Sequence, residues 1–237
     1  MSKILISNKM LFTSEINNTQ FEINKKYERK QISKEEKHLL DCYLNGTSNI
    51  TLLFLYLFIK NNPEYKPKLD EYLSITKNKN IEIGENSLEV FKKVIESETI
   101  DRKLSIYRGT SKKMFSATTI IDNNALSSYK DLKTGSIIQP LTVQSASLDP
   151  FTAALFLSGS EKDYLFIEYE LEPNEKAFWA NPFSEYKEKE LILPPQEEYE
   201  VQEITHMDLS ITDKLGKKED INYIKIKKIE RRLTWVD

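Results

Sequence analysis

The chain has 237 residues, of which 39% are hydrophobic and 30% charged, a composition that indicates a folded protein and excludes disorder throughout. The formal net charge of -3 excludes a broad cationic field, so bulk charge does not favour nonspecific attraction to nucleic acid or anionic membranes. Cys42 is the only cysteine, which excludes an internal disulfide, and with two histidines it is too little for a closed Cys/His zinc site.

The apolar stretches are short. The start, MSKILISNKMLF, has too few consecutive apolar residues for a secretory signal. The strongest apolar run, Ile50 to Ile59, is about half of the roughly 20 residues that a membrane-spanning helix needs. We therefore expect an intracellular site of action and no membrane partner.

The first elements are predicted to be helices. Residues 1–30 show no sustained period and are left as an arm or extension, whereas residues 31–237 are expected to form one domain. Ser33 and Glu36 have the spacing of a capping box, which predicts a helix that ends at Gly46. Further helices are predicted over about Ser48 to Lys60, Lys66 to Ile75, and from Asn86 onwards.

After Arg102 the apolar period changes to that of strands, and Gly109 is expected to end the first strand. One short helix is predicted to begin at Asp149-Pro150. Helices over about 31–100 followed by strands over about 101–237 predict an α+β fold rather than a doubly wound parallel sheet. The other predicted strands are Ser136 to Gln139, Leu141 to Ser145, Tyr164 to Leu171, Lys176 to Ala180, Glu190 to Leu193, Glu198 to Ile204 and Asn222 to Glu230.

Three segments stand out along the strand-rich part. They are Leu104–Gly109 (LSIYRG), 143–149 (VQSASLD) and 188–195 (EKELILPP). A Glu-x-Glu pair also occurs elsewhere in this acidic sequence, so only its position before Leu-Ile-Leu-Pro-Pro selects the third segment. Together, the three segments resemble the Arg-Ser-Glu signature of the mono-ADP-ribosyltransferases, over roughly residues 31–237.

The resemblance implies a fold and a substrate. The fold would be a split antiparallel β-sandwich with an NAD cleft, preceded by a helical N-terminal part, and the reaction would consume NAD and need no metal. Arg108 would bind the NAD phosphates with a planar, permanently charged donor group. Gly109 would allow close approach of backbone and ligand near the nicotinamide amide, Ser145 would hydrogen-bond the catalytic glutamate, and Ser147 would support the strand.

The two glutamates have different implied roles. Glu190 would accept a hydrogen bond from the 2′-hydroxyl of the nicotinamide ribose and stabilise the positive charge that develops as nicotinamide leaves. Glu188, two residues earlier, is expected on the same strand face and would reach the incoming nucleophile. In the family, glutamate at this position accompanies arginine acceptors, so protein arginine is the preferred target.

Aromatic residues near these motifs have two interpretations each. Phe156 either lines the nicotinamide pocket or is a core aromatic. Phe183 and Tyr186 lie in the loop between Trp179 and Glu188, which resembles the target-recognition loop of the family, and they either contact the target or pack beneath the loop.

The sequence therefore predicts transfer of ADP-ribose, with release of nicotinamide, to a macromolecular target. Among relatives it looks most similar to the phage-encoded Alt and Mod enzymes and to intracellular toxins, which implies action in the cytoplasm of a bacterium or phage-infected host and an inhibitory or antitoxin partner. Three alternatives stay open: modification of nucleic acid, NAD glycohydrolysis, and a non-catalytic binding module. A C-terminal basic edge would favour the first, against the alternative of a solvated strand face; its residues are Lys225, Lys227, Lys228, Arg231 and Arg232.

Overall fold

The computed structural model describes most of the chain. The described residues are 4–6, 32–46, 49–76, 79–81, 83–157, 163–184, 189–210 and 217–229. Within these ranges, no helix is both long and apolar enough to cross a membrane.

The N-terminal part is helical, as predicted. Helix α1 (Lys34–Leu44) begins at the expected capping box, in which Glu36 N donates to Ser33 Oγ at 3.2 Å and Ser33 N donates to Glu36 Oε2 at 2.6 Å. It ends before Gly46, which has φ +63°. The second helix begins at Ile50 rather than near Ser48, because the Asn49 side chain accepts from Leu52 N and caps it. The remaining helices of this part are α2 (Ile50–Asn61), α3 (Lys66–Ile75) and α4 (Glu85–Glu96).

Strands dominate the rest of the described chain. Their bounds are β1 (Ile4–Ile6), β2 (Leu104–Ser111), β3 (Thr119–Ile121), β4 (Ile137–Pro140), β5 (Gln144–Ser147), β6 (Tyr164–Leu171), β7 (Phe178–Trp179), β8 (Glu190–Leu193), β9 (Tyr199–Ser210) and β10 (Lys217–Lys228). Two short α-helices, α5 (Lys112–Thr118) and α6 (Pro150–Ala154), and a 3-10 helix (Tyr129–Asp131) lie among them. The α+β class is confirmed.

Two local predictions need correction. Strand β2 does not end at Gly109 but continues to Ser111, because β6 pairs with it along its whole length, through Gly109↔Phe166 and Ser111↔Tyr164. Helix α5 was not predicted, although Ser111 Oγ accepts from Met114 N at 3.1 Å and caps it. A strand that passes directly into a capped helix leaves no turn residue to mark the change.

The described strands form one hydrogen-bonded path in the order β3-β4-β9-β10-β6-β2-β5-β8-β7. The β10–β6 pair is parallel, and β1 also pairs parallel with β9, so part of the stretch 1–30 joins the sheet. The contact between β2 and β5 is narrow: among the described residues, its register has the single pair Tyr107↔Ser147. This seam divides the path into the group from β3 to β2 and the group β5-β8-β7.

Helices α1 and α4 pack against the second group of strands. Phe91 of α4 and Leu40 of α1 are fully buried in one cluster with Phe178 and Ile192 of β7 and β8. The packing places the C-terminal half of α1 beside β5. The helical part therefore reaches the strands that carry the Ser and Glu motifs.

A buried lysine joins α3 to the strand-rich part. Lys68 is 1% exposed, and its Nζ donates to the backbone oxygens of Ser116, at 2.7 Å, and Ser127. Burial lowers the pKa of Lys68 to about 8. Its two carbonyl partners compensate part of the cost of burying this charge.

Candidate active site

A cleft of about 360 Å³ opens where α1, α6 and the strands β2, β5 and β8 meet. It lies at the seam between the two groups of strands. Its walls bring together residues that are far apart in the sequence, among them Tyr43, Tyr107, Arg108, Ser145, Phe156 and Glu190.

Ser145 and Glu190 face each other across two adjacent strands. Strands β5 and β8 are antiparallel with Ser147 opposite Glu190, and the Ser145 hydroxyl donates to Glu190 Oε1. Glu190 is only 6% exposed. The contact that the resemblance implied between the serine and the glutamate is therefore present.

Tyr43 extends this contact, and its place in the site was not predicted. Its hydroxyl lies 2.9 Å from Ser145 Oγ. Because an ionised carboxylate only accepts, the Ser145 proton points to Glu190 and Tyr43 donates to Ser145. Burial raises the pKa of Tyr43 to about 12, with Glu190 adding to the rise, so the tyrosine keeps its proton at neutral pH.

Arg108 lies on the other side of the seam, on β2. Its Nη1 donates to the backbone oxygen of Ser145 at 2.7 Å, which fixes the guanidinium against β5. The side chain is half-buried and lines the cleft. Arginine carries several further N–H donors in one plane, the geometry that suits a phosphate.

Gly109 has a steric role that the resemblance did not imply. A Cβ at this position would lie 2.1 Å from Ala153 O and 3.0 Å from Leu157 N. The glycine therefore permits close backbone packing of α6 on β2, whereas the resemblance assigned the close approach to a ligand. Gly109 also lines the cleft, so its packing role sets the position of one wall.

Ser147 stabilises the turn that follows β5. Its buried hydroxyl accepts from Asp149 N at 3.0 Å, and Asp149 Oδ1 accepts from Phe151 N at 3.0 Å. The second bond caps α6 at the predicted Asp-Pro start. The two bonds fix the connection between β5, which carries Ser145, and α6, which packs on Gly109.

Two of the aromatic candidates, Phe156 and Phe183, have different surroundings. Phe156 is 49% exposed and lines the cleft, so it is not a core aromatic. Phe183 is half-buried and stacks on Phe178 with ring centroids 5.7 Å apart, the arrangement expected from packing beneath the loop. A target contact by Phe183 stays a prediction. Tyr186 and Glu188 lie outside the described residues.

The expected alternation of side-chain direction from Glu188 to Glu190 is interrupted at Lys189, the residue between them. Strand β8 begins at Glu190, and Lys189 has φ +54°, in the left-handed region. Side chains alternate between the two faces of a strand only along extended backbone. The strand face on which Glu190 lies therefore does not determine the direction of the Glu188 side chain. This corrects the argument that placed both carboxylates on one strand face.

The described part of the C-terminal basic edge is ion-paired. Lys225 lies 3.0 Å from Glu170, and Lys227 lies 2.7 Å from Glu172. Hydrogen bonds from Lys103 and Lys225 lower the pKa of Glu170 to about 2. Lys228 pairs with Glu197 at 3.0 Å. These lysines agree with the alternative of a solvated strand face; Arg231 and Arg232 lie outside the described residues.

Across the residues that the structure describes, no group of three or more His, Cys, Asp or Glu side chains could hold a metal ion.

Comparison with known proteins connects this geometry to a family. A family model described as ADP-ribosyltransferase exoenzyme matches residues 18–230. A search of curated protein sequences gives no match. None of these comparisons tests the expected similarity to the phage Alt and Mod enzymes.

Solved structures show the same fold at low sequence identity. Plx2a, an ADP-ribosyltransferase toxin from Paenibacillus larvae, aligns with TM-score 0.55 and 13% identity, over 92% of this chain and 96% of that one. The C3 exoenzyme of Clostridium limosum aligns with TM-score 0.54 and 14% identity, over 97% and 98%. C3stau2 from S. aureus, solved with NAD, aligns with TM-score 0.54 and 15% identity, over 98% and 100%. The predicted ADP-ribosyltransferase fold is confirmed, and the chain belongs to the ADP-ribosyltransferase exoenzyme family, whose members use NAD as substrate.

Proposed function

We propose that this chain is a mono-ADP-ribosyltransferase that transfers ADP-ribose from NAD to an arginine side chain of a target protein. The observation that carries the proposal is the contact between Ser145 and Glu190 on one wall of a cleft whose other wall presents Arg108. The cleft therefore holds an anionic group, Glu190, opposite a cationic group, Arg108. This arrangement suits a ligand such as NAD, which carries two phosphates and a ribose bonded to a cationic ring.

Arg108 and Phe156 act on different parts of the bound NAD, the diphosphate and the nicotinamide. Arg108 donates to the phosphates, and its bond to the Ser145 carbonyl holds the guanidinium in place before the ligand arrives. Phe156, half-exposed at the cleft, packs against the nicotinamide ring. Contacts on both sides of the nicotinamide ribose, at the ring and at the diphosphate, orient the bond between nicotinamide and ribose towards Glu190.

Glu190 supplies the electrostatic part of the reaction. Its carboxylate accepts from the ribose 2′-hydroxyl and stabilises the positive charge that develops at C1′ as the C1′–N bond breaks. Nicotinamide leaves as a neutral molecule with the electron pair of that bond. Ser145 donates to one oxygen of the Glu190 carboxylate, and Tyr43 donates to Ser145. These bonds fix the rotamer of Glu190, so little reorganisation accompanies the reaction.

The acceptor step forms a new bond from C1′ to a guanidinium nitrogen of the target. The arginine must lose one proton, and Glu188 is the group that we assign to position this acceptor and remove the proton. Modification of nucleic acid is less well supported, because Lys225, Lys227 and Lys228 are paired with carboxylates.

Labelled NAD tests the reaction and the acceptor together. The purified protein is incubated with labelled NAD and a bacterial lysate, and duplicate samples are treated with protease or nuclease. The variants are Glu190→Gln, Glu188→Gln and, as a matched control, Glu89→Gln, which changes an exposed glutamate on α4. We expect label that survives nuclease and disappears with protease, with a loss of about 10² to 10³ in rate for Glu190→Gln.

Each outcome separates one part of the proposal. Loss of transfer with retained nicotinamide release in Glu188→Gln supports the arginine step. Label in nucleic acid would show that the acceptor is nucleic acid rather than protein arginine, with the cleavage of NAD as proposed. Nicotinamide release without label would indicate hydrolysis, and neither product, with NAD bound, would refute the enzyme assignment.

A further inference from the structure

Lys189, the residue immediately before Glu190, has an unusual backbone conformation. Its φ of +54° lies in the left-handed region, which residues with a Cβ avoid because that atom crowds the following carbonyl. Asparagine and glycine adopt this conformation far more readily than lysine does. Such a residue persists only where its surroundings hold it, and such positions cluster at functional sites.

Two separate segments hold Lys189. Its backbone N–H donates to Asn181 Oδ1 at 2.9 Å, and its carbonyl accepts from Leu148 N at 3.0 Å. Its Nζ lies 3.4 Å from Asp149 Oδ2, with both side chains 20% exposed. Asn181 is 6% exposed, so its amide acts away from bulk water. Both polar groups of the Lys189 backbone are therefore bonded.

These bonds lead directly to Glu190. The Glu190 carbonyl accepts from Ala180 N at 3.0 Å, and Glu190 lies opposite Ser147 in the β5–β8 register. The segment that includes Ala180 and Asn181 thus contacts the backbone on both sides of the peptide bond between Lys189 and Glu190. The Cα–Cβ direction of Glu190 follows from this peptide plane.

We propose that Asn181 and Lys189 form a clamp that positions the Glu190 carboxylate for cleavage of NAD. The inference rests on the proposed function only in taking Glu190 as the acting carboxylate. The clamp is the hydrogen bond from Lys189 N to Asn181, whereas the ion pair from Lys189 to Asp149 is partly solvated and adds little. Asn181 and Lys189 are positioning residues, since they act on the reaction through Glu190.

Two pairs of variants separate backbone positioning from general packing. Asn181→Leu removes the acceptor at similar volume, whereas Asn181→Asp keeps an oxygen that accepts from Lys189 N. Lys189→Val opposes the left-handed backbone, whereas Lys189→Gly favours it. Asn49→Leu is the control, because Asn49 is also a buried asparagine whose Oδ1 accepts a backbone N–H, but at the start of α2.

Nicotinamide release is measured for each variant with kcat and KM for NAD determined separately. We expect Asn181→Leu and Lys189→Val to lower kcat about 10- to 100-fold, with KM changed less than about twofold, since misplacement of a catalytic group acts on the transition state. Asn181→Asp and Lys189→Gly should keep kcat within about threefold of the wild type. Asn49→Leu should lower thermal stability and leave kcat unchanged.

Two results would overturn the clamp. They are an unchanged kcat in Asn181→Leu, and an equal loss in Asn181→Asp and Asn181→Leu, which would show a packing effect. Absence of nicotinamide release by the wild type would contradict the proposed function instead. In that case, hydrogen exchange at the Lys189 amide tests the clamp without enzyme activity. Faster exchange in Asn181→Leu than in the wild type supports the clamp, and equal exchange refutes it.

Discussion

The Tyr43 hydroxyl lies 2.9 Å from Ser145 Oγ, although the two residues are 102 positions apart. Tyr43 belongs to α1 and Ser145 to β5, so the helical part contributes a side chain to the chain of hydrogen bonds that ends at Glu190. The Tyr43 ring is held by Phe91 of α4, with centroids 5.4 Å apart. Helix packing therefore determines where this donor lies.

Replacement of Tyr43 by phenylalanine tests this relationship. Tyr43→Phe keeps the ring packed on Phe91 and removes the proton that Ser145 Oγ accepts. We expect kcat for nicotinamide release to fall about 3- to 10-fold, which corresponds to roughly 1 kcal/mol for one buried hydrogen bond. Tyr56→Phe, on an exposed tyrosine of α2, is the control. Equal kcat in both variants would contradict the role of the Tyr43 hydroxyl.

Gly109→Ala should disturb the packing of α6 on β2. The added methyl group would lie 2.1 Å from Ala153 O, a backbone atom that can move only if the helix moves. We expect the free energy of unfolding to fall by about 2–3 kcal/mol, as in other overpacked sites, in urea titrations. Gly84→Ala is a matched control, because its Cβ would meet no atom within 4 Å. A smaller loss for Gly109→Ala than for Gly84→Ala would refute the steric argument.

Glu175 gives a pH dependence with a defined sign. Burial raises the pKa of Glu175 from 4.5 to about 7, so the folded state binds its proton more tightly than the unfolded state does. Folding stability from this group is then complete below pH 4.5 and is lost as pH rises through about 7.

Replacement of Glu175 by glutamine should remove that dependence. Because the carboxyl is only half-buried, we expect Glu175→Gln to be more stable than the wild type by about 1 kcal/mol at pH 8, after allowance for solvent screening. The difference should vanish near pH 4.5. Urea unfolding at both pH values measures it, with the exposed Glu89→Gln as control, and a difference independent of pH would contradict the assignment.

Alkaline pH should unfold the protein through its buried tyrosines. Burial raises the pKa of Tyr43, Tyr129 and Tyr169 to about 12 from an ordinary value of 10.0, and it also raises the pKa of Tyr199 and Tyr223. The folded state therefore holds these protons longer, and stability should fall as pH rises above 10.

Tyrosinate absorbance and circular dichroism, recorded together, test this expectation. Part of the absorbance rise should be delayed until the circular dichroism signal of folded structure is lost. Full ionisation of all 12 tyrosines with that signal intact would show that the five phenols are not buried as described.

The sequence predicted elements whose signals are local. The capping box at Ser33 fixed the start of α1, and the bounds of α3, β6 and β8 agree with the predicted ones. Strand β5 lies further along than predicted, over Gln144–Ser147, because the backbone of Leu141 bonds instead to Thr118 O. An apolar residue looks the same in a strand and in a buried connection, so hydropathy cannot separate the two.

Contacts between residues far apart in the sequence could not be predicted from such local signals. The parallel β10–β6 pair depends on which strands meet after folding, and no turn between them sets its register. At the site, the resemblance of the three motifs to the Arg-Ser-Glu signature implied a common NAD cleft, and Arg108, Ser145 and Glu190 do line one cleft. Tyr43 was not among the predicted site residues, since only the packing of α1 beside β5 brings its hydroxyl to Ser145.

The left-handed Lys189 could not have been predicted from its type. Lysine is neither glycine nor asparagine, and the side chain that holds its backbone comes from Asn181, in a loop with no strand periodicity. The strict two-residue alternation across Glu-x-Glu is valid for extended backbone only. It therefore failed at the residue where the site departs from regular geometry.

The narrow seam between β2 and β5 has a consequence for the lifetime of the folded chain. Arg108 lies on one side of it and Glu190 on the other, so NAD bound in the proposed way contacts both groups of strands where the ladder has one registered pair. A ligand that binds only the folded state stabilises it by about 2.7 kcal/mol at a hundred times its dissociation constant. The NAD concentration around the protein would then set its resistance to heat and proteolysis as well as its rate of turnover.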